Sequence, residues 1–521
     1  MRVSASLGLV VLLASLAGCE QRNFDRCLPG NAEFACETGK FCKPIPNDPN
    51  GVGMCVTSEC TVGAAVSTCP VDTPVCSGGR CVACTSDDDC KATSATQLFC
   101  LKDKGRCVEC RTPSDCTIGS AKPACDQSDG MCKPCTRHDQ CSTQVCVKDE
   151  TLNVSSVPAA MRLKTGDCVK SDGILLVDVN CTSCGNLQTQ INAASIDKPY
   201  VLVKTYDEKT PINVLPKVGL PELHIVTSTA DSSPALLTQA PPATMHYQNM
   251  TTPLLTVHGG ASLTLEGMLI YNSSTGILCD SDNGAGAVPT GLTVRRSIIG
   301  LTDHAIKTKP KCQLTLEQTY IGMGPASFGS FTGGNFEALN LDATSFDISN
   351  SVFNHNVGMP PTIFGGITVS NSISAPGLTG RIVNSTFYRH EPTMPGVPLA
   401  IQCSGTAPTF NIFNTLFVNT ATFPMAGRTY VGSSCRTAST FDYIATDETL
   451  PITPGGSKII AASESALTAP LGGDVSLVKT AQGIATGGAK TFNGIASPAV
   501  DVRGAARGAT TVAIGAFEAS P

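Results

Sequence analysis

The sequence contains no tryptophan and few segments with helical periodicity, whereas it holds 49 glycines and 34 prolines. This composition favours turns and strands over helices. Charged side chains are scarce, at 15% of the 521 residues, and 36 basic against 42 acidic residues give a net charge of −6. Because a nucleic-acid footprint is basic and clustered, we predict no nucleic-acid partner. The length leaves room for two or three domains.

A short apolar segment at the N-terminus is the one candidate for an export signal. Leu7–Leu16 is too short to span a bilayer. It leads into Leu16-Ala-Gly-Cys19, which resembles the lipobox of bacterial lipoproteins. The resemblance implies a signal peptide of residues 1–18, acylation of Cys19 and a tether of residues 19–26; an ordinary secretory signal is the alternative. We therefore expect an exported bacterial lipoprotein of the cell envelope, at the outer membrane or cell surface, that contacts the membrane through its lipid and is otherwise soluble.

Cysteines dominate the segment that follows. Of the 27 cysteines, 23 lie in the first 184 residues, a density that indicates an oxidising compartment. Between residues 27 and 168 they form groups of four, and the middle groups share the spacing Cys-x5-Cys-x(8–9)-Cys-x6-Cys-x2. Units so poor in apolar residues need bridges to fold. We predict a cysteine-rich stalk over residues 27–168 with two disulfides per unit, and four cysteines allow three pairings.

This spacing resembles the cysteine-rich region named after the Dickkopf N-terminus, and it implies no active residue. Zinc is the alternative, because Cys-x2-Cys pairs occur at 81/84, 107/110, 132/135 and 181/184. Export into an oxidising space favours disulfides, and His138 is the only histidine nearby. We predict no metal here, and we expect Cys181 and Cys184 to bond to each other or to Cys168.

Seven related phrases recur in the second half of the chain. Each has an alternating β-rich run, a polar break and a second apolar run, as in Phe346–Phe353, Arg381–Phe387 and Phe410–Phe417. The breaks fall at Gly267, Arg296, Gln318, Asn350, Asn371, Asn384 and Asn414. Such drifting repetition is typical of solenoids. The step of 13 residues from Asn371 to Asn384 is too short for a coil, so one of them marks a different corner.

These phrases predict a mainly β fold, a right-handed parallel β-helix preceded by a small disulfide-rich, loop-dominated region. We place the β-helix at residues 169–445. Stacked corner asparagines are expected to bond to each other and to the turn backbone. The helical stretch Leu187–Ala194 and the phrase Leu254–Ile270 resemble the opening coils of pectate-lyase-like proteins. An antiparallel β-sandwich is less favoured, since hairpin signals are scarce.

The C-terminal region, residues 446–521, is predicted to hold the terminal coils and a closing clasp. Its Ser497–Asp501, Arg503, Arg507 and Ile514–Glu518 resemble the ending of bacterial surface β-helix proteins of the choice-of-anchor group. The resemblance implies that Arg503 or Arg507 pairs with Glu518 or Asp501 to close the last coil. A catalytic role for these residues is the weaker alternative. Cysteine pairs 279/312 and 403/435 are each about one coil apart, which predicts two further disulfides.

Catalysis on a β-helix would need carboxylates and a base in one groove. A lyase needs carboxylates for Ca²⁺ and a basic residue, and a hydrolase needs facing carboxylates. The catalytic candidates are Asp280, Asp282, Asp303 and Lys307. Because no carboxylate recurs at one coil position, solvated turns and charged loops are the favoured interpretation.

We therefore predict a non-catalytic cell-surface lipoprotein without a cofactor. Its stalk presents a β-helix to a glycan or a surface protein. The alternative is a surface-tethered polysaccharide lyase or glycoside hydrolase, and only the lyase would need Ca²⁺. A face lined by Ser, Thr and Asn favours the first hypothesis, and a Ca²⁺ site favours the second.

Overall fold

A computed structural model describes most of the chain after residue 25. The described residues are 26–28, 36, 40–44, 52–57, 59–60, 69–148, 164–228, 243–246, 252–281, 289–322, 337–354, 366–373, 377–388, 400–405, 409–419, 429–437, 439–448, 459–469, 474–478, 481, 484, 488–492, 495–503 and 505–518. The chain divides into two compact units, Met1–Cys116 with Cys125–Cys132, and Thr117–Ala124 with Lys133–Pro521. The predicted signal peptide, Cys19 and Asp282 lie outside the described residues.

The first unit is built from short antiparallel strands, as expected for a chain with little apolar surface to bury. Its elements are β1 (Arg26–Cys27), β2 (Lys40–Pro44), β3 (Gly53–Thr57), β4 (Val75–Ser77), β5 (Arg80–Val82), α1 (Asp87–Thr93), β6 (Phe99–Leu101), β7 (Arg106–Val108) and a 3-10 turn at Pro113–Asp115. A further hairpin pairs β8 (Ala124–Asp126) with β9 (Met131–Lys133).

One disulfide pattern repeats along the cysteine-rich region. In every group of four, the first cysteine bonds to the third and the second to the fourth. The ten bonds are 27–42, 36–55, 60–76, 69–81, 84–100, 90–107, 110–125, 116–132, 135–146 and 141–168. The prediction of two disulfides per unit is confirmed, and the structure selects one of the three pairings that the spacing allowed.

The acidic turn before the second cysteine of a group has a structural role. Asp89 Oδ2 accepts hydrogen bonds from the backbone amides of Thr85 and Ser86, each at 2.8 Å. Asp115 Oδ2 accepts in the same way from Arg111 and Thr112. The hydrogen bond from Thr85 is the largest cause that lowers the pKa of Asp89, and the bond from Ser86 adds to it, although burial opposes the shift. The carboxylate therefore satisfies amides at the start of each turn.

Successive repeats of the first unit are joined by a glycine contact. A Cβ on Gly105 would lie 2.8 Å from Val82, and one on Gly130 would lie 2.4 Å from Val108. Both glycines have positive φ, and their carbonyls accept from Ala83 and from Cys110. Each valine ends one repeat and packs on the hairpin of the next. The joint therefore requires glycine on both conformational and steric grounds.

The second unit is a parallel β-helix with three faces. The first face, sheet A, consists of β10 (Ile174–Val177), β11 (Tyr200–Val203), β14 (Leu223–Thr227), β17 (Ser262–Glu266), β19 (Thr290–Arg295), β21 (Cys312–Glu317), β24 (Ser345–Ser349), β27 (Thr379–Val383), β30 (Thr409–Phe413) and β32 (Ser439–Asp442), in that order and all parallel.

The second face is called sheet B. It consists of β12 (Tyr206–Glu208), β15 (Ala243–His246), β18 (Leu269–Asp280), β20 (Ile298–Thr308), β22 (Tyr320–Gly322), β25 (Val352–Asn354), β28 (Thr386–Tyr388), β31 (Leu416–Val418), β33 (Ile444–Thr446) and β34 (Ile459–Ala461). The third face, sheet C, consists of β13 (Ile212–Val214), β16 (Leu255–His258), the C-terminal halves of β18 and β20, β23 (Glu337–Asp342), β26 (Ile367–Ser370) and β29 (Ile401–Ser404).

The polar breaks of the sequence are the corners between sheets A and B. The corner residues have positive φ and are Gly267, Arg296, Gln318, Asn350, Asn384, Asn414 and Tyr443. Asn tolerates this left-handed conformation better than most side chains, which explains its recurrence. Asn371 instead follows β26, so it marks the different corner that the short step predicted.

The helices among the described residues of this unit are short. They are α2 (Leu187–Ala193), α3 (Ser433–Arg436) and 3-10 turns at His138–Gln140, Ser171–Gly173 and Glu464–Ala466. The predicted helix before the first coils is confirmed by α2. Asn186 caps it by accepting from the Thr189 amide at 2.8 Å, and Leu187 and Ile191 join the β-helix core. The predicted disulfides Cys181–Cys184, Cys279–Cys312 and Cys403–Cys435 are also present.

Four buried clusters lie among the described residues of the second unit, and one of them consists of Ala124 and the four cysteines of the fifth repeat. The largest fills the interior of the coils. A second lies between the outer side of sheet B, including Leu269 and Ile298, and C-terminal residues such as Phe517. The third joins Val145 and Val147 of the fifth cysteine-rich repeat to the first strands of sheet A. The C-terminal segment adds β35 (Leu467–Ala469), β36 (Asp474–Leu477), β37 (Gly488–Ala489), β38 (Thr491–Phe492), β39 (Ile495–Ala496) and β40 (Thr511–Val512).

Candidate functional site

The predicted catalytic residues lie on or beside two neighbouring strands. Asp280 ends β18, and its Oδ1 lies 3.0 Å from Lys309 Nζ. Lys307 is exposed on β20, in register with Leu278 on one side and Asn340 on the other. Asp303 lies four residues before Lys307 on β20. It lies between Ile299, which pairs with β22 of sheet B, and His304, which pairs with β23 of sheet C. The structure thus brings Asp280 to Lys309, two residues after the candidate Lys307.

Sequence reasoning missed a buried carboxylate on the next strand. Glu337 is only 6% exposed, and its Oε2 lies 2.9 Å from His304 Nδ1 and accepts from Asn340 Nδ2 at 3.0 Å. Burial would raise the pKa of Glu337, but hydrogen bonds from His304, Thr368 and Asn340 outweigh it and lower the pKa. Only the strand register, in which His304 faces Glu337, reveals this pairing.

Asp303 has the opposite electrostatic character. Burial raises the pKa of Asp303, and the neighbouring His304 opposes the shift. His304 is therefore adjacent to one carboxyl group whose pKa is raised and contacts another whose pKa is lowered. Such a split is the usual arrangement of a general acid beside a stabilising carboxylate. Asn340 and Thr368, however, also form hydrogen bonds with the Glu337 carboxylate, and these bonds give that carboxylate a structural role.

A second candidate is the outer side of sheet A after β17. One row of in-register side chains along it is Thr264, Thr293, Thr315, Asp347, Arg381, Asn411 and Thr440. A parallel row is Gly291, Gln313, Ser345, Thr379 and Thr409. From Thr293 onward these positions are half-buried or exposed. The face matches the Ser-, Thr- and Asn-rich surface that the sequence analysis associated with binding.

Charges on this face are paired within it. Arg295 Nε lies 3.0 Å from Glu317 Oε2 on the next strand. Arg381 Nε donates to Asp347 Oδ1 at 2.8 Å, and its Nη2 contacts the other carboxylate oxygen. The four side chains cancel in charge. Their remaining hydrogen-bonding capacity, together with the hydroxyls and amides, suits an uncharged polar ligand.

The four residues of the predicted clasp converge. Asp501, fully buried, accepts from the backbone amides of Arg503, Ala505 and Glu518 at 2.8 to 3.0 Å. Arg503 Nη2 lies 3.2 Å from the same carboxylate and donates to the Glu518 carbonyl at 2.7 Å. Arg507 Nη1 donates to Glu518 Oε1 at 3.0 Å. All four side chains thus belong to one hydrogen-bonded network.

The clasp continues into the corner residues of the coils. Asn350 Nδ2 donates to the Val500 carbonyl at 2.7 Å, and Asn384 Nδ2 donates to the Ala513 carbonyl at 3.1 Å. Asn414 Nδ2 donates to the Ala489 carbonyl at 2.7 Å. The corner amides therefore bind the C-terminal segment, a use that differs from the predicted ladder of amides. This arrangement is structural: its polar groups are buried and hydrogen-bonded, and they attach the C-terminal segment to the coils.

Metal ligands among the described residues were sought in clusters of Cys, His, Asp and Glu. The clusters found consist of cysteines alone, and every sulfur in them belongs to a disulfide. The Cys-x2-Cys pairs 81/84, 107/110 and 132/135 divide their sulfurs between successive repeats. A thiolate zinc site is incompatible with those bonds, because zinc needs free thiolates.

Comparisons with protein-family models, curated proteins and solved structures find no match to this chain. Within the described residues, no helix combines the length and apolar character needed to span a bilayer. The thirteen disulfides indicate an oxidising compartment outside the cytoplasm. The interpretation of function consequently depends on the fold and the geometry of its surfaces.

Proposed function

We propose that this chain is a lipid-anchored cell-surface protein without catalytic activity, in which a bridged stalk presents the β-helix as a binding domain. The observation that carries the anchor is the use of cysteines. The chain has 27 cysteines, and the thirteen disulfides of the described residues use 26 of them. The remaining one is Cys19 of the lipobox-like sequence. Because the other 26 cysteines are paired with each other, Cys19 has no disulfide partner left in the chain, which suits its acylation.

The outer face of sheet A supports a binding role. Adjacent parallel strands are about 4.8 Å apart, a distance comparable with the advance of one sugar ring in an extended polysaccharide. Thr293, Thr315 and Asn411 offer hydroxyl and amide groups along that axis, and the charged groups between them are paired. We propose a neutral, extended glycan as the ligand of this face.

The anchor is tested with labelled palmitate and membrane fractionation. The wild-type chain expressed in a bacterium with lipoprotein processing should incorporate label and sediment with membranes. The matched variant Cys19→Ser should lose both while keeping its disulfides. Label that persists in Cys19→Ser, or its absence in the wild type, would exclude a lipid at this position.

The binding face is tested with a panel of neutral and acidic polysaccharides in affinity electrophoresis. Thr315→Arg places a long cation on the face, and we expect it to abolish retardation by a neutral polymer. Gln402→Arg on sheet C is the matched control and should retain binding. Equal losses in both variants, or no retardation of the wild type by any polymer, would contradict the proposal.

The alternative function, a polysaccharide hydrolase or lyase, is favoured by one observation. His304 is flanked by Asp303, whose pKa burial raises, and by Glu337, whose pKa is lowered. The panel is therefore also assayed for reducing ends and unsaturated products, with and without Ca²⁺. Activity that Asp303→Asn abolishes and Asp342→Asn preserves would establish catalysis and overturn the non-catalytic proposal.

A further inference from the structure

The fifth cysteine-rich repeat meets the β-helix through a buried histidine. His138 lies in the 3-10 turn before Cys141 and is 2% exposed. Its Nε2 lies 3.1 Å from Oε2 of Glu266, which ends β17 of sheet A. Around this contact, Val145, Val147 and Val169 pack against Tyr200 and other sheet A residues. The fifth repeat therefore covers the first strands of sheet A. The His138 imidazole makes the polar contact of this interface, beside the apolar cluster.

Hydrogen-bond directions identify the protonation state of His138 in this contact. The backbone amide of Cys146 donates to Nδ1 at 2.9 Å. A ring nitrogen that accepts a hydrogen bond carries no proton, so the proton of a neutral imidazole is on Nε2. From there it donates to Glu266. The docked arrangement thus uses His138 as an acceptor and a donor at once, which a doubly protonated imidazolium cannot be.

Among the described residues, the charges in contact with His138 form a neutral pair. Lys148 Nζ lies 2.5 Å from the other oxygen of Glu266, and this buried carboxylate stays ionised because the charge of Lys148 and the hydrogen bond from His138 lower its pKa against the effect of burial. Arg295, in register with Glu266, is paired with Glu317. A proton on His138 would add a second cation to a buried pair that is neutral.

One more histidine lies beneath the same repeat. His224 is 4% exposed, stacks on Tyr200 with ring centroids 4.6 Å apart, and has Nε2 3.7 Å from Glu222 Oε2. The other charged groups near His138 in the sequence, Arg137 and Asp139, pair with each other at the surface. His224 is therefore the residue that a test must separate from His138.

We propose that His138 is a pH-sensitive latch whose protonation releases the fifth repeat from sheet A. Protonation places an N–H against the Cys146 amide and an unbalanced cation in a site closed to water. Both changes oppose docking, so the contact is favoured while His138 is neutral and is weakened when His138 is protonated in acid. Such a latch would let the β-helix reorient on its stalk in acidic surroundings.

Hydrogen exchange of the full chain tests the latch. His138→Gln is the matched variant, because a Gln oxygen accepts and its NH₂ donates at every pH. At pH 7.5 the Cys146 amide and the amides of β11 should exchange alike in wild type and His138→Gln. At pH 5.5 they should exchange faster in the wild type than in His138→Gln, because only the wild-type side chain gains a proton in acid.

The second histidine supplies the other arm of the test. His224→Gln should keep the wild-type response to pH if His138 is the latch. A response that disappears in His224→Gln and persists in His138→Gln would assign the effect to His224 and overturn the proposal. Equal exchange of wild type and His138→Gln at pH 5.5 would also overturn it.

Discussion

Arg507 donates from Nη2 to Oδ1 of Asn350, 2.7 Å away and 157 residues earlier in the chain. The same guanidinium also donates to the carbonyls of Gly515 and Ala516 and to Glu518. Burial lowers the pKa of Arg507 and its acidic neighbours oppose the shift. One buried cation therefore connects the last residues of the fold to a corner in the middle of the β-helix.

Replacement of Arg507 should release the C-terminal segment from sheet B. Arg507→Met leaves the Asn350 amide oxygen without its Arg507 donor and leaves Glu518 with the Ala513 amide but without its cationic partner. Breaking a buried pair costs about 3–5 kcal/mol. We expect a loss of that size in urea denaturation, with early exposure of residues 488–518 to protease. Arg381→Met, which removes a surface pair, is the control and should cost less than about 1 kcal/mol. A similar small loss for Arg507→Met would show that the network is dispensable.

Corner asparagines combine a backbone and a side-chain role that two variants can separate. Asn384 has φ of 49°, donates to the Ala513 carbonyl and accepts from Ser497 Oγ at 2.7 Å. Asn384→Gly keeps the left-handed turn and loses two hydrogen bonds, at about 1 kcal/mol each. Asn384→Ala should lose roughly 1–2 kcal/mol more from the strained turn. Denaturant midpoints of the two variants test this, and equal values would mean that the turn relaxes.

Six of the seven corners were readable from the sequence because each separates two β-rich runs, and at Asn350, Asn384 and Asn414 the residue type also suits a left-handed turn. The corner at Tyr443 was not predicted. The disulfides 279–312 and 403–435 were likewise readable from a spacing of about one coil. The sequence did not predict that C-terminal residues would cover the outer side of sheet B. Leu269 and Ile298 have the pattern of ordinary strand residues, and only the structure shows that Leu467 and Phe517 belong to the same apolar cluster. Glu337 was missed because its partner, His304, is set by strand register across residues that share no motif.

The lowered pKa of Glu337 predicts an acid-dependent contribution to stability. A carboxyl group whose pKa is lower in the folded than in the unfolded state stabilises the fold above the unfolded value, about 4.3 for Glu. That contribution is lost as the pH falls through the folded value. Glu337→Gln should therefore be about 1–3 kcal/mol less stable than wild type at pH 7. The difference should shrink between pH 5 and pH 3 in urea titrations; a constant difference would mean that Glu337 does not titrate in this range.

Lys217 should hold the end of helix α2 in place. Its Nζ donates to the carbonyls of Ile191, Asn192 and Ala194 at 2.5, 2.7 and 2.9 Å, groups that a helix end leaves unpaired. Burial lowers the pKa of Lys217, yet the three acceptors are those of an ammonium group. Lys217→Met keeps much of the stem and removes these bonds, so we expect a local loss of about 1 kcal/mol.

Hydrogen exchange measures this loss at the amides of residues 187–194. Faster exchange confined to that segment would show that Lys217 acts as a cap for α2, the helix that contributes Leu187 and Ile191 to the core beneath the first coils. Lys209→Met provides the comparison, because Lys209 is 67% exposed and pairs only with Asp207 among the contacts described. An unchanged exchange pattern in Lys217→Met would mean that water satisfies the three carbonyls equally well, and the cap would then contribute nothing to the stability of the helix.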